Sequence, residues 1–225
     1  MTYQRKEELA EGVTLFQADM LELLPTLGEF DACVTDPPYG IRADENPIRG
    51  STKHEKIGWD RDRPPKVAFD LIRDRSRVQI IWGGNYFTDF LPPSMQWLSW
   101  DKDQGNFSLA DMELAWSSQN KAARRIIFSR GKANLDGKEH PTQKPLEVMK
   151  WCIDQLPHDV GTILDPFMGS GTTGVAAIKK GKAFTGIERE PKYFDIACRR
   201  IEDALKRPDL FIEAPKPKAK QETLL

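Results

Sequence analysis

The stretch Ala32-Cys33-Val34-Thr35-Asp36-Pro37-Pro38-Tyr39-Gly40-Ile41 runs as an apolar strand into a carboxylate, stiffens over two residues and then offers an aromatic ring. Both prolines lack an N–H and have a fixed φ, so the carbonyls around them hold their place with little entropy to lose. Taken as structure alone, the same letters describe a proline-rich turn after a strand. A second stretch, Asp165-Pro166-Phe167-Met168-Gly169-Ser170-Gly171-Thr172-Thr173-Gly174, contains a GxGxxG pattern between a strand-like run and a helical one. Glycines there let the backbone approach a ligand, and Glu188, which ends the next apolar run, can accept hydrogen bonds from ribose hydroxyls. The bland alternative is a tight strand–helix turn with glycines for packing only.

The second stretch therefore points to a nucleotide-bearing cofactor. A dinucleotide is the default, but Asp165 and Pro166 stand just before the glycines, where a pyrophosphate has little use for a neighbouring carboxylate. S-adenosylmethionine carries a cationic sulfonium and an ammonium, to which an acid is complementary.

Those groups need a scaffold. Strand-like runs occupy 13–19, 30–36, 77–84, 96–102, 112–118, 162–167 and 183–188. The run at 77–84 is continuously apolar, the pattern of a strand covered on both faces. The Trp-rich pair at 96–102 and 112–118 reads as a hairpin. The last two strands enclose the helical "GTTGVAAIKKG", which makes a βαβ unit with parallel pairing. Further helices are expected at 65–75, 145–156 and 191–206. The class is α/β, with a mostly parallel sheet covered on both sides.

The chain has 225 residues, 39% hydrophobic and 30% charged, which suits one globular domain, expected over 1–213. The Pro- and Lys-rich end, 214–225, reads as a disordered tail. A net charge of −1 means that any nucleic-acid partner must be met by a local patch. Segments 41–64 and 117–144 fit no element, and the second concentrates Lys121, Arg124, Arg125, Arg130, Lys132, Lys138 and Lys144 against Asp136 and Glu139. That is an anion-binding surface or a solvated loop. Three scattered cysteines, a charged start without an apolar signal region and the lack of a membrane-length apolar run point to a reduced, cytoplasmic protein. His54 and His158 read as surface residues, and no metal cluster is expected.

"TDPPYG", "HPTQKP" (140–145) and "DPFMGSGTTG", in that order, resemble the β-class of S-adenosylmethionine-dependent amino-group DNA methyltransferases. The likeness spans about 13–204. It implies a Rossmann-like methyltransferase fold with a seven-stranded sheet, helices on both faces and a permuted motif order. It also implies a site-specific enzyme acting on double-stranded DNA, with no metal and with a possible homodimer.

The resemblance gives "DPPY" a chemistry. An exocyclic amine is a poor nucleophile because its lone pair is delocalised into the ring. Acceptors at the Asp36 carboxylate and the Pro37 carbonyl would make the nitrogen more pyramidal and turn its lone pair to the sulfonium methyl. Pro38 braces the turn and Tyr39 can stack on the base, which must be flipped out of the duplex. The resemblance further assigns Asp19 and Met20 to the cofactor's adenine end. Thr142, Gln143 and Lys144 are placed near its methionine carboxylate, with Asp165, Pro166, Phe167, Gly169, Ser170, Gly171, Thr172, Thr173 and Glu188 around the rest. Asn85 and Tyr86 of "WGGNYF" would wall the base pocket, and Arg124, Arg125, Arg130 and Lys132 would meet DNA.

Asp at position 36, rather than Ser, resembles the adenine-N6 members more than the cytosine-N4 members. The family usually inserts more between the hairpin and "HPTQKP" than the residues 117–139 available here. Recognition is then short, or draws on 41–64 or on a second subunit. The competing readings are a cytosine-N4 enzyme, a catalytically silent DNA- or cofactor-binding homologue, and a dinucleotide oxidoreductase that would leave "DPPYG" without a purpose.

Overall fold

The computed structural model describes residues 2–41, 61–104, 110–129 and 143–206. Its centre is a sheet built from β1 (Arg5–Ala10), β2 (Val13–Gln17), β3 (Phe30–Thr35), β4 (Ser76–Trp82), β5 (Trp97–Asp101), β6 (Met112–Ser117), β7 (Arg124–Ile127), β8 (Thr162–Asp165) and β9 (Ala183–Glu188). Around it lie α1 (Met20–Leu23), α2 (Lys66–Arg75), α3 (Leu146–Asp154), α4 (Thr172–Lys179) and α5 (Pro191–Lys206). The strand order is β1-β2-β9-β8-β3-β4-β6-β5-β7.

The strands expected from the sequence are all present, and the sheet carries one more at each edge. β1, "RKEELA", pairs antiparallel with β2, and β7, "RRII", pairs parallel with β5. Neither shows the apolar alternation that marks a half-buried strand, because both are largely exposed and bury little on either face. β7 falls within 117–144, so that segment is not without structure as the sequence reading had it. The expected hairpin is β5–β6, with Trp97 opposite Trp116 and Trp100 opposite Glu113.

From β2 through β9, β8 and β3 to β4, every neighbouring pair is parallel. β3 is the fifth of the nine strands and so lies at the middle of the sheet, and Ala32, Cys33, Val34 and Thr35 are fully buried. Its side chains alternate between two cores. Ala32 and Val34 belong with Val148, Met149, Ala176 and Phe194 of the α3, α4 and α5 layer. Cys33 belongs with Met20, Ala68, Phe69 and Ile72 of the α1 and α2 layer. This is the Rossmann-like arrangement, with the strand that carries "DPPY" earlier in the chain than the strand that carries the glycine loop.

Asp31 fastens β3 to β8 at their starts. Its Oδ2 accepts from the Gly161 and Thr162 amides at 2.8 and 2.9 Å and from the Thr162 hydroxyl at 3.0 Å. The two amide bonds hold its carboxyl below the ordinary value. Asp31→Ala should lower stability by about 1.5–3 kcal/mol, the scale of hydrogen bonds to a charged acceptor. Urea unfolding of the variant measures this loss, and a midpoint unchanged from the wild type would contradict it.

Candidate functional site

Because five adjacent strands are parallel, the residues after them gather along one edge of the sheet. Asp19 follows β2, Asp36 to Tyr39 follow β3, Gly83 to Tyr86 follow β4, the glycine loop follows β8 and Glu188 ends β9. Ligands of open α/β sheets bind in such carboxyl-end crevices.

The glycine loop has two sides. Gly171 has a φ of 80°, and a Cβ there would stand 3.0 Å from the Ala197 methyl, so this residue lets the loop sit directly on α5. Arg200 of α5 reinforces the contact, its guanidinium donating to the Ser170 carbonyl at 2.6 Å and to the Ser170 hydroxyl at 2.9 Å. Gly169 faces the other way, with no atom within 4 Å of where a Cβ would stand. Its amide donates to Glu188 Oε2 at 2.8 Å, and the Glu190 amide donates to Oε1 at 2.8 Å. Burial outweighs these bonds and pushes the Glu188 carboxyl up to about 7.

Asp165 is almost wholly enclosed. Its Oδ1 accepts from the Thr35 hydroxyl at 2.7 Å and from the Phe167 amide at 3.1 Å, and burial pushes its carboxyl up to about 6. The acid that suggested a sulfonium partner thus ties β3 to β8 inside the fold. Thr172 and Thr173 are buried at the start of α4, Pro166 is buried and Phe167 is half-buried. Asp19 caps α1 through the Leu21 amide at 2.8 Å and is exposed, while Met20 packs into the core.

At Asp36 the structure assembles a charged cluster. The Tyr39 hydroxyl donates to Asp36 Oδ1 at 2.5 Å, and the Lys144 ammonium lies 2.7 Å from Oδ2 and 3.1 Å from the tyrosine oxygen. Lys144 also pairs with Glu113 at 3.0 Å, and Glu113 pairs with Lys102 at 2.8 Å. Burial pushes the Asp36 carboxyl up, against the pull of Lys144. Burial works against the Lys144 charge, but Asp36 and Glu113 together overcome it and hold the ammonium firmly protonated. For Glu113 burial is likewise overcome by Lys144 and Lys102, and its carboxyl falls to about 2.

Tyr39 is set by its surroundings. Its ring stacks on Tyr86 with centroids 5.0 Å apart and planes 18° apart. Gly83, at a φ of 69°, leaves the room, since a Cβ there would come within 2.1 Å of the Tyr39 ring. Pro37 is buried, Pro38 half-buried and Asn85 exposed.

The sequence reading kept Gln143 and Lys144 together; the structure sends them to different partners. Gln143 Oε1 accepts from the Ser170 hydroxyl at 3.2 Å, and Lys144 reaches Asp36. Arg124 and Arg125 are exposed on the edge strand β7, with Arg125 3.6 Å from Asp101. Thr142, Arg130, Lys132, His54 and residues 214–225 lie outside the described residues. Glu113 and Lys102 were missed; their only signal was a lone charge in the run 112–118 and a lysine beside Asp101 at the end of the run 96–102. Among the described residues no group of three or more His, Cys, Asp or Glu is placed to hold a metal, and no helix is long and apolar enough to cross a membrane.

Residues 94–199 match a family model described as DNA methylase. The chain is 32% identical over 171 residues to the Type II methyltransferase M.HinfI of Haemophilus influenzae, covering 71% of this chain and 47% of that protein. It is 26% identical to the Type II methyltransferase M.ScaI of Streptomyces caespitosus, covering 84% of this chain and 81% of that one. The chain thus spans about half the length of the first relative and most of the second. Among solved structures, the M1.HpyAVI–SAM complex superposes with a TM-score of 0.57 at 24% identity over 83% of this chain and 98% of that one. The cytosine-N4-specific PvuII DNA methyltransferase gives 0.57 at 16% identity over 86% and 91%. At these identities the two structures speak for the fold.

The raised Glu188 carboxyl makes a stability prediction. Between its ordinary value of 4.5 and about 7 the folded chain holds a proton that the unfolded chain has lost, so stability falls as pH rises. The limiting slope is about 1.4 kcal/mol per pH unit. Asp165 adds a similar slope that ends near 6. Glu188→Gln should therefore flatten the pH dependence of the unfolding free energy between about 4.5 and 7, leaving the slope from Asp165 below about 6. Denaturant titrations at closely spaced pH values test this, and parallel curves for the two proteins would refute it.

Proposed function

We propose that this chain, which matches a DNA methylase model over 94–199 and is similar to Type II methyltransferases, transfers a methyl group from S-adenosylmethionine to the N6 amino group of adenine in double-stranded DNA. The observation that carries this reading is the Asp36–Pro37 pair at the end of β3, on the sheet edge that also bears the glycine loop and Glu188. Tyr39, stacked on Tyr86, supplies an aromatic wall beside it.

The residues present fit the cofactor. Gly169 gives a bare backbone surface, and the half-buried Glu188 carboxylate next to it suits ribose hydroxyls. Asp19 and Met20 would border the adenine end, with Pro166, Phe167, Ser170 and Gln143 lining the route towards Asp36. Asp165 and the Thr172–Thr173 pair support that surface from within. The bound cofactor supplies an electrophilic methyl group on a cationic sulfur.

The rest is the work of the chain. A flipped adenine offers its amine hydrogens to Asp36 and to the Pro37 carbonyl, which localises the nitrogen lone pair. As the nitrogen gains its fourth bond it becomes acidic, and Asp36, already in contact, is placed to take the proton. Arg124, Arg125, Arg130 and Lys132 would meet phosphates, and the short recognition segment makes a homodimer the expected assembly. Asp at position 36 favours adenine; a cytosine-N4 product is the competing outcome.

Incubation with DNA from a methylation-deficient strain, followed by nucleoside mass spectrometry, should detect N6-methyladenine. N4-methylcytosine would change the assigned base, and no methylated base would overturn the activity. Asp36→Asn should slow single-turnover transfer by on the order of 10²–10³, the cost of losing a positioned transition-state acceptor. Cofactor binding by calorimetry should be retained in that variant. A loss below about tenfold would remove Asp36 from the chemistry.

A further inference from the structure

If Asp36 receives the target amine, as proposed above, the position of Lys144 poses a conflict. An ammonium and an exocyclic amine offer a carboxylate the same thing, an N–H donor, and Lys144 holds Asp36 Oδ2 at 2.7 Å. Its side chain is only 6% exposed, and it lies 5.4 Å from the Trp82 ring centroid and 5.5 Å from that of Tyr39. An ammonium so enclosed cannot leave one carboxylate without a large desolvation cost unless another receives it.

Lys144 has a second carboxylate. Glu113 on β6 holds it at 3.0 Å, and Lys102, just past β5, holds Glu113 through its other oxygen at 2.8 Å. Lys102 is itself only 8% exposed. The charges alternate Lys102, Glu113, Lys144, Asp36, so the row is neutral as a whole. The hairpin that carries Glu113 is fixed by its own ladder and by the pairing of β6 with β4.

We propose that Glu113 is a positioning residue, a second seat onto which Lys144 withdraws when the target amine takes its place at Asp36. With Glu113 present the ammonium stays paired throughout the exchange. Without it Lys144 has, among the described residues, Asp36 as its one carboxylate and competes with the base. This inference rests on the proposed methyl transfer and extends it to a residue outside the family motifs.

The experiment uses the full chain and the same unmethylated DNA, with tritiated S-adenosylmethionine in single turnover. Wild-type incorporation comes first; its absence would count against the proposed activity rather than against the role of Glu113. Given wild-type transfer, Glu113→Gln should be at least about fivefold slower, with cofactor affinity within about twofold. Adding Lys144→Met to that variant should recover at least about threefold, because the competitor has gone. A merely structural Glu113 would give a double variant no faster than the single one, and that result overturns the proposal, as does a loss below about fivefold in Glu113→Gln. If Glu113→Gln does not fold, Glu113→Asp, which draws the carboxylate back by one methylene, takes its place. It should be slower than wild type and recover when Lys144→Met is added, and a wild-type rate or a lack of recovery overturns the proposal.

Discussion

Five neighbouring strands run in one direction, and that direction decides where the polar groups of the site stand. β2, β9, β8, β3 and β4 each deliver their following residues to the same edge of the sheet. Reversing any one of them would carry its carboxylate or glycine turn to the far end. The two cores enforce the direction. Strand residues alternate between the α3–α5 layer and the α1–α2 layer, and a strand that slipped by one residue would exchange the two sets. The chemistry at the edge therefore depends on apolar packing well below it.

The same packing makes charge at the edge costly. Asp36, Asp165 and Glu188 are all raised by burial, yet each is treated differently. Asp165 is satisfied by a hydroxyl and an amide and serves the sheet. Glu188 has two amides and keeps an opening beside Gly169. Asp36, of the three, is the one matched with a cation. Local polarity thus separates three acids that look alike in the sequence: one fastens two strands, one borders a bare stretch of backbone and one is paired with a buried ammonium.

Much of this was legible beforehand. Continuous apolar runs announced β3, β4 and β8, and the GxGxxG with its trailing acid announced β8–α4–β9. "DPPY" announced a held carboxylate. What stayed hidden had physical reasons. β1 and β7 bury too little to leave a periodic pattern. The structural task of Asp165 depends on Thr35, 130 residues away in sequence, which no local window can reveal. Lys144 reads as one more charge of a basic loop until the fold carries it 108 positions back to Asp36. Glu113 and Lys102 acquire meaning only once β5 and β6 pair.

The two outermost strands also bear on how this sheet lives in concentrated solution. An open sheet ends in unpaired N–H and C=O groups, which invite another chain to add itself as a further strand. Here one border is "RKEELA", where Arg5 and Lys6 pair with Asp195, Glu7 and Glu8. The other is "RRII", with Arg124 and Arg125 exposed. Both borders are short and densely charged, so lateral polymerisation would have to strip water from several ions for a few hydrogen bonds. The sheet can thus remain open at both sides without becoming a template for fibrils.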